Sequence, residues 1–180
     1  IEFRQELKQL IDNGMKKLVL DLRDNPGGDF DVSIRLADQL LDEGIITYSE
    51  DKNGNRKYYN SKREFLDIPL VVLINGGSAS ASEVVTGALK DRDRAKVLGT
   101  KSFGKGVVQG VYEVPRGGGM GGMSMTIQRY YTPNGISIHG IGINPDIEVA
   151  LPEGLKKLTS QLSFSEDVQL QEALKVLKSQ

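Results

Sequence analysis

Three serines crowd one short stretch, Asn75-Gly76-Gly77-Ser78-Ala79-Ser80-Ala81-Ser82-Glu83. The apolar run Leu70-Val71-Val72-Leu73-Ile74 precedes it and a helical pattern from Val84 to Leu89 follows. That order predicts a buried strand feeding a turn of small residues, and the turn opens a helix. Free N–H groups and the positive end of a helix dipole collect at such a turn, so it would stabilise an oxyanion next to a hydroxyl. A serine hydroxyl attacks a carbonyl only with a base beside it. The sole histidine, His139, follows a Pro-Asn-Gly turn and reads as a surface or hydrogen-bonded strand residue. Lysine can replace histidine if it is neutral, which requires its ordinary pKa of about 10.4 to fall by several units through burial. Lys105 stands between Gly104 and Gly106, after Phe103 and before Val107-Val108, where a long side chain could be desolvated. Gln109 alternates in strand register with Lys105 and would orient an amine by hydrogen bonding without charging it. The plainer readings are a solvated loop lysine at 105 and a capping box, Ser80-x-x-Glu83.

Composition narrows the remaining chemistry. The 180 residues suffice for one domain with a real core, and 38% hydrophobic with 26% charged residues describes an ordinary globular chain. A formal net charge of −1 gives no electrostatic reason to expect nucleic acid or an anionic membrane. Without cysteine there is no disulfide, thiol nucleophile or cysteine zinc site, and with one histidine no mechanism needing two. No metal or organic cofactor is expected.

The elements that must position these residues follow from periodicity. Phe3, Leu7, Leu10 and Ile11 predict an amphipathic helix ended by Gly14. Leu18 to Leu22 reads as a short buried strand that runs into the loop Arg23-Asp24-Asn25-Pro26-Gly27-Gly28-Asp29. Asp31 is the expected N-cap of a helix carrying Ile34, Ala37 and Leu41 and stopping at Gly44. A hairpin is predicted around Lys52-Asn53-Gly54-Asn55. Strands at 107–114 and 124–131 are expected to be joined by a mobile loop, 116–122, which holds five glycines. A short strand is expected near Ile138, and Leu170, Ala173, Leu174 and Leu177 predict a final helix. Strand, glycine loop and helix alternate through the first 100 residues, which argues for an α/β fold with a partly parallel sheet.

Two glycine-rich coincidences near Lys105 fail on context. Gly99, Gly104 and Lys105 fit most of a phosphate loop, but Gly106 stands where its metal-binding hydroxyl belongs and a strand pattern follows instead of a helix. Ser102-x-x-Lys105 has the spacing of the β-lactamase serine–lysine motif, without the Ser-Asp-Asn and Lys-Thr-Gly companions.

Three blocks resemble, in order, the signatures of the carboxyl-terminal processing peptidases, also called tail-specific proteases of the S41 family. They are Leu22-Arg23-Asp24-Asn25-Pro26-Gly27-Gly28, Gly77 to Glu83, and Gly99 to Gly106 with Gln109. Arg129-Tyr130-Tyr131-Thr132-Pro133-x-Gly135, Gly140-x-Gly142-x-x-Pro145-Asp146 and Asp167-x-Gln169-Leu170-x-x-Ala173-Leu174 are similar to that family too. The resemblance implies Ser80 as nucleophile, Lys105 as general base at the family's spacing and Gln109 as the residue orienting the base. It also implies an oxyanion hole from the Ala81 N–H and one from Gly27 or Gly28. The implied fold is the crotonase/Clp-protease-like core, a mixed β-sheet flanked by helices. Residues 1–150 would be the catalytic core and 151–180 its C-terminal helical extension.

The family's properties set further expectations. The substrate would be a protein or peptide with a free carboxyl terminus, cleaved through an acyl-enzyme. A PDZ domain would lie upstream in the full-length chain, the setting would be periplasmic or cell-envelope, and a homo-oligomer is possible. The competing readings are a non-catalytic ligand- or peptide-binding module on this fold and an acyl-CoA enzyme of related fold. Neither has a use for Ser80, Lys105 and Gln109 together. Asp21, Arg23 and Asp24 are expected to tie down the glycine loop, Tyr130 and Tyr131 to be strand and core residues, and Met120, Met123 and Met125 to be core or surface filler.

Overall fold

The structure is a computed structural model that describes residues 2–117, 119–154 and 157–179. Its elements run α1 (Glu2–Asp12), β1 (Leu18–Asp21), α2 (Phe30–Leu40), β2 (Gly44–Asp51), β3 (Arg56–Ser61), β4 (Leu70–Ile74), α3 (Ala81–Asp91) and β5 (Lys96–Gly99). Then come β6 (Val107–Arg116), β7 (Gly119–Tyr131), β8 (Ile147–Glu148), a 3-10 turn (Thr159–Gln161) and α4 (Val168–Ser179). The expected mixed α/β architecture is built as two four-stranded sheets. One is parallel, in the order β1-β4-β5-β8, and the other antiparallel, in the order β3-β2-β7-β6.

β4 sits at the centre because every one of its residues is apolar and both of its faces are covered. Leu70, Val72 and Ile74 join the main core with Leu40 of α2, Leu41 just after it, and Val85, Ala88 and Leu89 of α3. Val71 and Leu73 point the other way, where Ala173 and Leu177 of α4 cover them together with Leu98. Alternation along one strand thus welds three helices to a single sheet.

Parallel pairing places the chain segments that matter at one edge. β1 lies beside β4 with Asp21 opposite Leu73, and β4 lies beside β5 with Ile74 opposite Gly99. The segments leaving these three strands emerge at their carboxyl ends, where α/β sheets bind ligands. Gly99 is required there: its φ is +119°, and a Cβ would stand 2.0 Å from the Ile74 carbonyl oxygen.

Several local expectations are revised. α2 is capped by Asp29, whose carboxylate accepts from the Val32 N–H at 2.9 Å, so Asp31 falls inside the first turn. The helix ends at Leu40, and Gly44 opens β2. The expected loop is shortened: Gly119, Gly121 and Gly122 pair in the β6–β7 ladder, which after a shift between Val108 and Gln109 runs on to Arg116 opposite Gly119. A ladder is made by backbone groups, so glycines can extend it, and Pro115 is tolerated because β6 is an edge strand. Gly118 lies outside the described residues. Near Ile138 there is only a single bridge, Ser137 to Tyr131.

Candidate active site

Ser80 occupies the turn between β4 and α3 with φ 55° and ψ −115°, a conformation rarely adopted by a residue with a Cβ. Neighbouring contacts hold it there. Ser78 is fully buried, and its hydroxyl donates to the Leu22 carbonyl at 2.7 Å while accepting from the Asn75 N–H at 3.0 Å. The Ala79 N–H and the Ser82 hydroxyl both donate to the Asn25 carbonyl at 3.0 Å, fastening the turn to the loop after β1. Ser78 and Ser82 are therefore consumed by structure, whereas the half-buried Ser80 borders a cavity.

Glu83 is the residue that sequence reasoning undervalued. Its carboxylate is fully buried and accepts four hydrogen bonds. One oxygen takes the Ser102 hydroxyl and the Gly104 N–H, each at 2.6 Å, and the other takes the Ser80 and Lys105 N–H groups, each at 2.8 Å. The capping half directed at Ser80 was readable from the spacing. The half that grips Ser102, Gly104 and Lys105 was not, because it closes contacts about twenty residues apart. One anion therefore fixes the nucleophile turn and the lysine loop relative to each other.

Ser80, Ala81, Gly28, Lys105 and Gln109 line a single cavity of about 170 Å³, walled by Phe30, Val107, Val108 and Tyr130. Gly27 faces a neighbouring cavity with Ala81 and Ser82. Its N–H donates to the Asn25 side chain at 2.9 Å, and a Cβ on it would meet the Ala79 oxygen at 2.6 Å and the Ala81 nitrogen at 2.8 Å. Gly27 thus shapes the loop against the serine turn. Among the described residues the N–H groups of Gly28 and Ala81 have no protein partner. Ala81 is also the first residue of α3, where the helix dipole favours negative charge.

Lys105 lines the cavity but is exposed, contrary to the expected desolvation, because Phe103 before it is turned to solvent and Val107-Val108 after it are only half-buried. Gln109, also exposed, follows on β6. No hydrogen bond joins the side chains of Ser80, Lys105 and Gln109 to one another among the described residues. Gly106 allows the loop its course: a Cβ there would stand 2.6 Å from the His139 nitrogen. The strand β6 that follows it settles the phosphate-loop coincidence, since that loop must open a helix.

Tyr130 is buried, stacks on Phe30 at 4.7 Å between ring centroids, and forms one wall of the cavity; burial pushes its phenol well above the ordinary tyrosine range. The three exposed methionines, 120, 123 and 125, lie on the β6–β7 hairpin and do not line the cavity. Among the described residues no group of three or more His, Asp or Glu is arranged to hold a metal ion, and no helix is long and apolar enough to cross a membrane.

The model of peptidase family S41 matches residues 1–149. The chain belongs to that family. It is 40% identical over 182 residues to a carboxyl-terminal-processing protease of Synechocystis, an alignment covering 98% of this chain and 40% of that protein. It is 46% identical over 157 residues to a carboxy-terminal-processing protease of Bartonella bacilliformis, covering 84% and 36% respectively. Among solved structures, the photosystem II D1 C-terminal processing protease superposes with a TM-score of 0.73 at 40% identity, over 82% of this chain and 39% of that one. An S41 protease structure from Bacteroides fragilis shares the fold with a TM-score of 0.76 at 18% identity, over 99% of this chain and 49% of that one. The chain spans about two fifths of the length of the curated relatives it matches.

Proposed function

We propose that this chain carries the catalytic core of a serine endopeptidase that cleaves proteins near their carboxyl termini. The observation that carries the reading is the single cavity onto which Ser80, Lys105, Gln109 and the unpartnered N–H groups of Ala81 and Gly28 converge. In the proposed reaction neutral Lys105 takes the Ser80 proton as Oγ adds to the peptide carbonyl, and the oxyanion is held by the Ala81 and Gly28 N–H groups. The protonated lysine then gives its proton to the departing amine, leaving an acyl-Ser80 ester. Water, deprotonated by Lys105, hydrolyses that ester, releases the new carboxyl terminus and returns the proton to Ser80. Gln109 positions the amine. Substrate seated over the exposed Lys105 would supply the desolvation that the free protein lacks.

Residues 1–150 would act as the catalytic core, with 151–180 as its helical extension. In the full-length protein a PDZ domain would present the substrate's free carboxyl terminus, the setting would be the periplasm or cell envelope, and protomers could associate. The relatives' names as carboxyl-terminal processing proteases support this substrate class. The test is mass spectrometry of a protein substrate incubated with the enzyme. A shortened product with a new carboxyl terminus, absent with Ser80→Ala and with Lys105→Ala, is expected; equal cleavage by those variants would refute the reading.

A further inference from the structure

We propose that Thr159 and Asp167, in the segment after β8, are positioning residues for the loop that offers the Gly28 N–H to the cavity. The inference rests on the reading of Ser80 and Gly28 given above. The loop after β1 begins with Arg23 and Asp24, and each is held by this distant segment. The Arg23 side chain is 2% exposed, and its guanidinium meets Asp167 through two parallel bonds of 2.8 and 2.7 Å, with a third of 2.9 Å to the Gln169 side chain. Its remaining bonds go to Asp21, so among the described residues every partner of this buried cation is on β1 or at Asp167 and Gln169, where α4 begins. Asp167 in turn accepts the Leu170 N–H at 2.9 Å, and the Gln169 amide donates to the Val149 carbonyl at 2.7 Å. The cation is therefore anchored to a helix that packs against β4 from the opposite face to α3.

Asp24 is held independently. Its φ of 56° lies in the left-handed region, which aspartate enters more readily than most residues with a Cβ. One carboxylate oxygen accepts both the N–H and the hydroxyl of Thr159, at 3.0 and 2.8 Å. The other accepts from Asn75 at 2.8 Å, and the Asp24 N–H returns a bond to the Asn75 oxygen at 2.9 Å. Gly77 closes on the same residue, since a Cβ there would stand 2.8 Å from the Asp24 Cα. Asp24 is thus gripped between the serine turn on one side and Thr159 on the other. Four residues later the chain delivers the Gly28 N–H beside Ser80. Neither Thr159 nor Asp167 lines the cavity, so each acts on the reaction only through the loop. An oxyanion donor contributes about 10²–10³-fold to turnover, and displacement by about 1 Å forfeits much of that.

The experiment is steady-state cleavage of a fluorogenic peptide by the full chain and its Thr159→Val, Thr159→Ser and Asp167→Asn variants, with amide exchange measured over residues 24–28. Expected are a fall of about tenfold or more in kcat for Thr159→Val and Asp167→Asn with KM within about twofold, since ground-state binding does not use the oxyanion donor. Thr159→Ser, which keeps the hydroxyl, restores kcat. Lys175→Ala, an exposed change on the same segment, leaves both constants alone. Exchange over 24–28 speeds up in the two impaired variants. Should Asp167→Asn fail to fold, Thr159→Val carries the test alone. Unchanged kcat in Thr159→Val, or unchanged exchange of the loop, overturns the inference. A parent no more active than its Ser80→Ala variant overturns the peptidase reading instead, and the exchange measurement still decides whether the segment holds the loop.

Discussion

Replacing Glu83 with glutamine is the most informative single perturbation of the site's framework. The buried carboxylate accepts from four donors, two at each oxygen. Glutamine keeps one acceptor oxygen and turns the other into an NH2 group, which faces two donors it cannot satisfy. Each charge-assisted bond is worth about 1.5–3 kcal/mol, so the two lost bonds cost about 3–6 kcal/mol. No salt bridge compensates the charge of Glu83 among the described residues, and removing an unpaired buried anion recovers part of that cost. A net loss of about 2–4 kcal/mol is expected. For a chain of this size it lowers the melting temperature by roughly 5–15 °C. Thermal melting by circular dichroism measures it directly, and peptide cleavage by the folded fraction should fall as well, because Ser80 and Lys105 lose their common anchor. A Glu83→Gln variant melting within about 2 °C of the parent would show that the carboxylate does not hold the two segments together.

Two further outcomes follow from the loop after β1. Gly27→Ala forces a side chain onto a backbone with φ +93° and against the Ala79 oxygen, so it should cost at least about 1–3 kcal/mol in a denaturant titration. Gly28→Ala points into open space, should change stability by less than about 0.5 kcal/mol, and serves as its control. Burial pushes the Asp167 carboxyl up, but the Arg23 hydrogen bonds, the Leu170 N–H and the Arg23 charge outweigh it and hold the group below its ordinary value. A depressed folded value contributes stability that is full above the unfolded pKa of about 3.9 and disappears as pH falls through the folded one. Asp167→Asn should accordingly be less stable than the parent at pH 7, by less than the roughly 3–5 kcal/mol of a buried charge left alone because Asp21 remains. Urea unfolding at pH 7 and pH 3 checks that the difference narrows in acid.

Much of the frame was legible from the chain because local pattern and tertiary demand agree. Leu70 to Ile74 is apolar throughout and becomes the central strand, and the small residues after it become the turn that opens α3. The candidate site was legible through types and spacing, and Ser80, Lys105 and Gln109 do border one cavity. Other features depend on contacts that spacing does not encode. The positive φ of Ser80 is imposed by Ser78, Ala79 and Ser82 bonding to the loop after β1. Gly119, Gly121 and Gly122 read as loop by composition, yet they pair in the β6–β7 ladder, which is made of backbone groups alone. Lys105 looked burial-prone beside Phe103 and Val107-Val108, but Phe103 is 67% exposed and turns outward with it. Asp167 resembled a family motif residue, while its pairing with Arg23 across 144 positions is visible only in the fold.

The peptidase reading stands or falls on a covalent bond to Ser80, so intact mass after exposure to a fluorophosphonate tests it most directly. A single adduct on the parent chain, absent from Ser80→Ala and from Lys105→Ala, is the expected result. An adduct that persists in Ser80→Ala, or a folded parent in a chain extended to the relatives' full length that takes none, would contradict it.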